Sequence, residues 1–157
     1  MANDALAQKA QNFTNRGRQA LEARRFELAV EMLSQALECS PDTLETRRLL
    51  RAAQIAQFRE SGGGGFGAKM KSMLQRSKVM GLVKKGKGVE AMAEAEKLLS
   101  VNPLDPDNIE AAVKAAEAAG KADHAAITIE AAYECSNNDP ALLERVATYY
   151  SMANRWD

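Results

Sequence analysis

The stretch FTNRGRQALEARRFELAVEMLSQALECSP, residues 13–41, governs how the rest of the chain is read. Phe13, Gly17, Ala20 and Leu21 recur at three- and four-residue intervals, and after a short charged break Phe26, Ala29, Val30, Leu33, Ala36 and Leu37 resume that spacing. Such intervals gather side chains on one face of an α-helix. Two such faces joined by so few residues predict an antiparallel helix hairpin. The sizes of the residues support the same reading. Gly17, Ala29 and Ala36 permit close helix approach, while Phe13, Phe26 and Leu33 fill the spaces between.

Working outward, the same periodicity predicts helices near 5–23, 26–39, 43–59, 69–85, 88–100, 107–119, 122–135 and 140–153, an all-α fold. The β-branched run Ile127-Thr128-Ile129 lies inside an Ala-rich helical stretch and is too short for a strand. The breaks carry their own chemistry: Ser40-Pro41-Asp42, Asn102 to Asp107, and Asn137 to Pro140 each offer a capping side chain with a proline that cannot continue the preceding helix. Gly120 supplies a position free to take positive φ. Residues 61–67, Ser-Gly-Gly-Gly-Gly-Phe-Gly, are of another kind, because four consecutive glycines resist helix formation. They predict a flexible joint between an N-terminal part, residues 1–60, holding one hairpin and an additional helix, and a C-terminal helix stack, residues 68–157.

Internal similarity sets the architecture. Ala36-Leu-Glu-Cys39-Ser40 and Ala132-Tyr-Glu-Cys135-Ser136 stand 96 residues apart, and Gly86 and Gly120, like Ala91 and Ala125, stand 34 apart. A period of 34 in an all-helical chain is the mark of stacked helix hairpins, none of which buries its apolar face alone. On these residues the chain resembles the tetratricopeptide repeat family. Phe13, Gly17, Ala20, Phe26, Ala29, Leu33, Ala36 and Pro41 match the family pattern in order. Leu82, Gly86, Ala91, Ala95, Leu98 and Pro103 resemble a second unit, with Val79 where a small residue is usual. Ile109, Ala116, Gly120, Ala125, Ile129 and Ala132 resemble a third, with Val113 in that place. Leu143, Ala147, Tyr150, Asn154 and Trp156 begin another, which reads as a first helix and turn whose second helix would belong to a longer protein. The resemblance implies a right-handed superhelical stack of antiparallel hairpins. Ala29 and Ala91 are 62 residues apart, six short of two repeats. The helix at 43–59 therefore either caps the first hairpin or packs irregularly on the helix at 69–85.

Chemistry is sparse. Gly62, Gly64 and Gly67 fit the spacing of a dinucleotide loop but lack the preceding strand, and Gly81 to Lys87 resembles a phosphate loop that is followed by Gly88 instead of a hydroxyl. Glu90 and Glu94 read as a solvated helix face. His124 is expected at the surface without a catalytic relay, and Cys39 and Cys135 read as small packing residues, reduced in a cytoplasmic chain. No enzyme activity, cofactor or metal is expected. Nor does any run approach the roughly 18 apolar residues of a spanning helix, and Met1 to Leu6 has no leader-like pattern.

The chain has 157 residues and 21 basic against 21 acidic groups, unevenly spread. Residues 61–90 carry seven basic and one acidic group, whereas residues 91–157 carry five basic and twelve acidic. That basic segment interleaves Lys69, Lys71, Arg76, Lys78, Lys84, Lys85 and Lys87 with Met70, Met73, Leu74, Met80, Leu82 and Val83, whose apolar stripe is read as core. The segment reads first as a solvated repeat helix and next as a contact for an acidic partner protein, while membrane or nucleic-acid attachment is disfavoured because the segment lacks Trp, Tyr or Phe beyond the glycine loop.

In the resembled family the first helices of the hairpins line a concave groove that receives a partner peptide. The resemblance assigns to that groove Thr14, Arg18 and Arg48, then Met73, Arg76, Met80 and Lys84, then Asp107, Glu110, Lys114 and Glu117, and finally Glu144 and Thr148. Peptide-end binders of the family hold a carboxylate with Lys and Asn, where this chain has Thr14 and Arg18. The expected function is a protein-interaction scaffold. The alternative is self-assembly into homo-oligomers through the terminal repeats, suggested by Leu142, Leu143, Val146, Tyr149, Tyr150 and Met152 on the last helix.

Overall fold

The computed structural model describes residues 1–154, and in them the periodicities become eight α-helices. They are α1 (Ala2–Glu22), α2 (Phe26–Cys39), α3 (Leu44–Glu60), α4 (Phe66–Lys84), α5 (Gly88–Val101), α6 (Pro106–Ala118), α7 (Ala122–Cys135) and α8 (Pro140–Ala153). Trp156, assigned above to the end of the last unit, lies outside the described residues. α1 and α4 each begin three residues earlier than expected, and α4 does so inside the glycine-rich segment. Gly65 takes the N-cap position, which tolerates glycine, and the Lys69 amide closes the first turn on the Gly65 carbonyl at 3.2 Å.

Three of the turns are built alike. The Arg25 amide donates to the Ala20 carbonyl at 2.8 Å, the Lys87 amide to Leu82 at 3.0 Å, and the Lys121 amide to Ala116 at 2.9 Å. Each bond spans a residue in the left-handed region: Arg24 at φ 58°, Gly86 at 70° and Gly120 at 70°. This helix-ending geometry satisfies carbonyls that the helix leaves open and turns the chain back into the next helix. At two other breaks the expected caps form. Asp105 accepts from the amides of Asp107 (2.9 Å) and Asn108 (3.1 Å), Asp139 accepts from Ala141 (3.0 Å), and Pro106 and Pro140 open their helices.

The chain divides into two compact units, Met1–Gln57 and Phe58–Asp157. In the first, α1 and α2 form the hairpin around Ala20, Ala29, Leu33 and Leu37. Gly17 lies so close to α2 that a Cβ there would sit 2.5 Å from Leu33 Cγ. Leu50 and Ala53 of α3 share this core, and Thr14 and Thr46 are joined through their hydroxyls at 2.8 Å, so α3 packs on the first hairpin.

In the second unit each helix from α4 to α8 packs on the next, and α4 also packs on α6. Its core is made of Val79, Leu98, Leu99, Ile109, Val113 and Ile129 with the intervening alanines, so both valines that stand at small-residue positions are interior. Gly88 takes over the close-approach role. A Cβ there would lie 2.4 Å from the Ala118 carbonyl and the Ala119 nitrogen. His124 corrects an expectation. It is buried: every residue from His124 to Ile129 is, and since these span more than one full turn, this part of α7 is enclosed on all sides; the His124 Nε2 lies 3.9 Å from Asp123 Oδ1.

Candidate functional site

In the first unit, Thr14 is buried in the seam between α1 and α3, where its hydroxyl also donates to the Ala10 carbonyl at 3.0 Å. A groove residue was expected there. An inward threonine satisfying its hydroxyl within the helix and against Thr46 presents no surface to a partner. Arg18, half-buried, forms an ion pair with Glu45 of α3, and Arg48 is exposed.

In the second unit the candidate residues lie on α4, α6 and α8, the first helices of successive hairpins. Arg76 reaches from α4 to α6, 3.3 Å from Asp105 and 3.2 Å from Asp107. Asp105 thus caps α6 and anchors α4 with one carboxylate. Glu110 of α6 is bridged by both guanidinium nitrogens of Arg145 on α8, one of them at 3.1 Å. The Glu110 carboxylate holds the Arg145 pKa above its ordinary value. Glu117 accepts from the Tyr149 hydroxyl, whose pKa is raised first by burial and then by that carboxylate. The Thr148 hydroxyl donates to the Glu144 carbonyl at 2.9 Å within α8. Met80 is partly buried against the core, whereas Met73, Lys84, Asp107, Lys114, Glu117, Glu144 and Thr148 are exposed.

The charges expected to meet a partner are therefore largely engaged with the neighbouring helix. Arg18, Arg76 and Glu110 each cross to another helix. Arg145 and Tyr149, which complete the row, were not among the expected residues. Their signal was present in the sequence: they stand 35 and 32 residues after Glu110 and Glu117, one repeat on, and share one face of α8 at i and i+4.

A second polar cluster fixes the opposite flank of α4 to α5. The Glu94 carboxylate receives Lys97 (2.9 Å), Lys78 (3.0 Å) and the Gln75 amide (2.6 Å). Chiefly through Lys97, with Lys78 and Gln75 assisting against the opposing effect of burial, its pKa is lowered from 4.5 to about 2. Glu94 is thus not part of a solvated face, as its helical spacing from Glu90 suggests, but the centre of an inter-helix clasp. Ser72 and Asn108 complete the seam between α4 and α6, with the Asn108 amide 3.3 Å from the Ser72 hydroxyl and 3.0 Å from the Asn102 carbonyl.

Gly62, Gly64 and Gly67 lie between α3 and the first turn of α4, and no strand occurs among the described residues. Cys39 and Cys135 are free thiols, each half-buried. Among the described residues no group of three His, Cys, Asp or Glu side chains is placed to hold a metal ion, and no helix is long and apolar enough to cross a membrane. The chain matches no protein-family model and no curated protein sequence. What the geometry supports is an all-α, repeat-like assembly of hairpins with charged side chains along the row α4, α6 and α8.

Proposed function

We propose that the chain is a non-catalytic, cytoplasmic scaffold of the tetratricopeptide type, a right-handed stack of hairpins that binds a peptide segment of another protein along the first helices. The observation that carries this reading is the row on α4, α6 and α8. Lys84, Lys114 and Glu144 stay exposed there beside Arg76, Glu110 and Arg145, whose ion pairs fix the helices that present them. Preorganised helices lower the cost of ordering a partner. The three like-built turns and the close approaches at Gly17 and Gly88 support the family reading.

The test is a selection of peptides of mixed charge on the whole chain, followed by titration calorimetry against Lys84→Glu and Lys114→Glu. Both side chains are exposed, so unfolding midpoints should hold while affinity for an acidic peptide falls several-fold. Binding peptides indifferent to both substitutions would place recognition elsewhere. Arg76→Glu is the contrasting variant, expected to lower stability by about 1–3 kcal/mol by setting like charges against Asp105 and Asp107.

The second reading, self-assembly through the last helix, rests on Leu143 and Met152, which α8 leaves exposed, whereas its Leu142, Val146 and Tyr150 pack against the core of the second unit. Light scattering that finds a strict monomer at all accessible concentrations would remove it.

A further inference from the structure

Among the described residues, four of the nine exposed large hydrophobic side chains lie on α4. At about 100° per residue, positions 66, 70, 73, 74 and 77 fall on one side of this helix, and 72, 75, 76, 79 and 83 on the other. The second set makes the contacts with α5 and α6: Ser72 with Asn108, Gln75 with Glu94, Arg76 with Asp105 and Asp107, and Val79 in the core. The first set faces away and is apolar. Phe66 is 80% exposed, Met70 43%, Met73 51% and Leu74 67%. Of the apolar residues expected to be core, Met80, Leu82 and Val83 do pack against it beside Val79, whereas Met70, Met73 and Leu74 do not, leaving α4 with two apolar faces.

Lysines border the outer face. Lys69 lies along one edge, Lys71 and Lys85 along the other, and Lys84 continues the stripe towards the helix end; all four are exposed and form no ion pair among the described residues. The first turn of α4 contains no acidic residue, so the positive end of the helix dipole is also uncompensated.

We infer that this face of α4 is an attachment surface for an anionic lipid bilayer. Apolar side chains headed by an aromatic ring, with long cationic side chains at their edges, match the boundary between acyl chains and acidic headgroups, where lysine stems lie along the apolar layer and their ammonium groups reach the phosphates. Phe66, Met70, Met73 and Leu74 enter the interface; Lys69, Lys71, Lys84 and Lys85 supply the charge. An acidic peptide would meet the same charges, but peptide helices dock into grooves with two walls. Within the second unit both flanks of α4 are occupied by α5 and α6, so in that unit the outer face is a ridge and not a two-walled groove, a form suited to a lipid surface. The surface lies along α4 and shares Met73 and Lys84 with the peptide row that runs across α4, α6 and α8; the substitutions that test it, at Phe66, Lys69, Lys71 and Leu74, lie outside that row, so either can fail alone.

The experiment is co-sedimentation of the whole chain with phosphatidylcholine vesicles, plain or containing about one-third phosphatidylserine. Binding is expected on the anionic vesicles alone, falling steeply as salt rises. Phe66→Asp combined with Leu74→Asp should weaken it at least about tenfold, and Lys69→Gln with Lys71→Gln several-fold. All four positions are exposed, so helical spectra and unfolding midpoints should match the parent chain; if the aspartate pair disturbs folding, the glutamine pair decides. The inference is overturned by no partition onto anionic vesicles, by equal partition onto neutral ones, or by binding indifferent to the substitutions. It is equally overturned if an acidic peptide engages the stripe while anionic vesicles do not.

Discussion

Replacing Gly88 with Ala should destabilise the second unit, although alanine is the better helix former. The propensity gain is at most about 1 kcal/mol, and less in the first turn of a helix, where Gly88 sits. Against it stands a contact that backbone atoms must absorb. The new Cβ would lie 2.4 Å from the Ala118 carbonyl carbon and oxygen and from the Ala119 nitrogen, so α5 must retreat about 0.6 Å to reach even 3.0 Å, the shortest separation real side chains show. No flexible side chain is available to rotate away, and overpacking of this kind costs about 1–3 kcal/mol. The net expectation is a loss of about 1–2 kcal/mol. Gly81→Ala is the matched control: it lies within α4 with open space around its Cβ position, and should gain about 0.5–1 kcal/mol. Gly17→Ala should fall between them, because its 2.5 Å contact is with a Leu33 side chain that can turn only inside a closed core. Urea unfolding followed by circular dichroism, compared at equal slopes, reads all three. If Gly88→Ala proved as stabilising as Gly81→Ala, α5 and α6 would not approach as described, and the packing of the second hairpin onto the third would be refuted.

Two further perturbations test other parts of the structure. Arg24 holds the left-handed turn position that Gly86 and Gly120 hold in the later hairpins, so Arg24→Gly should stabilise the first unit by about 1 kcal/mol; a loss on chemical denaturation would mean that Arg24 does not occupy that region. Glu94 has its folded pKa lowered from 4.5 to about 2, so its contribution is complete above pH 4.5 and disappears as pH falls towards 2. The full shift corresponds to about 3 kcal/mol, reduced to about 1–2 by solvent screening around the exposed Lys78 and Lys97. The stability difference between the parent chain and Glu94→Gln should therefore be largest near neutrality and vanish near pH 2; an equal difference at both ends would contradict the clasp.

The helices were legible because three signals agreed along most of the chain: apolar spacing, capping residues at the breaks, and glycine at the turns. Asp105 with Pro106, Asp139 with Pro140, and Gly120 all act as their positions predicted. The start of α4 was hidden, since a glycine run lowers helix propensity without forbidding a helix to begin within it. Burial around each helix was harder to read. α4 carries apolar residues on both faces, so periodicity could not say which set would be inside; the contacts of α5 and α6 chose Val79 and Val83 over Leu74. His124 misled for a related reason, because its position at the start of α7 suggested exposure while the surrounding alanines allowed that turn to be enclosed. The candidate binding face was located by helix register, but its charges could not be divided into those meeting solvent and those meeting a neighbour. That division depends on partners about one repeat away, such as Glu45 for Arg18 and Arg145 for Glu110, and on side-chain reach across a seam.

The engaged charges also set how a partner could be recognised. Arg76 and Glu110 each lend their charge to an adjacent helix, so a ligand that claimed either would first have to break an existing pair. The exposed charges on the row, Lys84, Lys114 and Glu144, are each worth about 0.2–1 kcal/mol to a ligand in water. Together they supply about 1–3 kcal/mol, whereas micromolar affinity requires about 8. Most of the binding energy must then come from apolar contact, and of the expected groove residues Met73 is the exposed large apolar one. Met73 also belongs to the lysine-bordered stripe of α4. A peptide seated on the row and a bilayer seated on the stripe would therefore compete for both Met73 and Lys84.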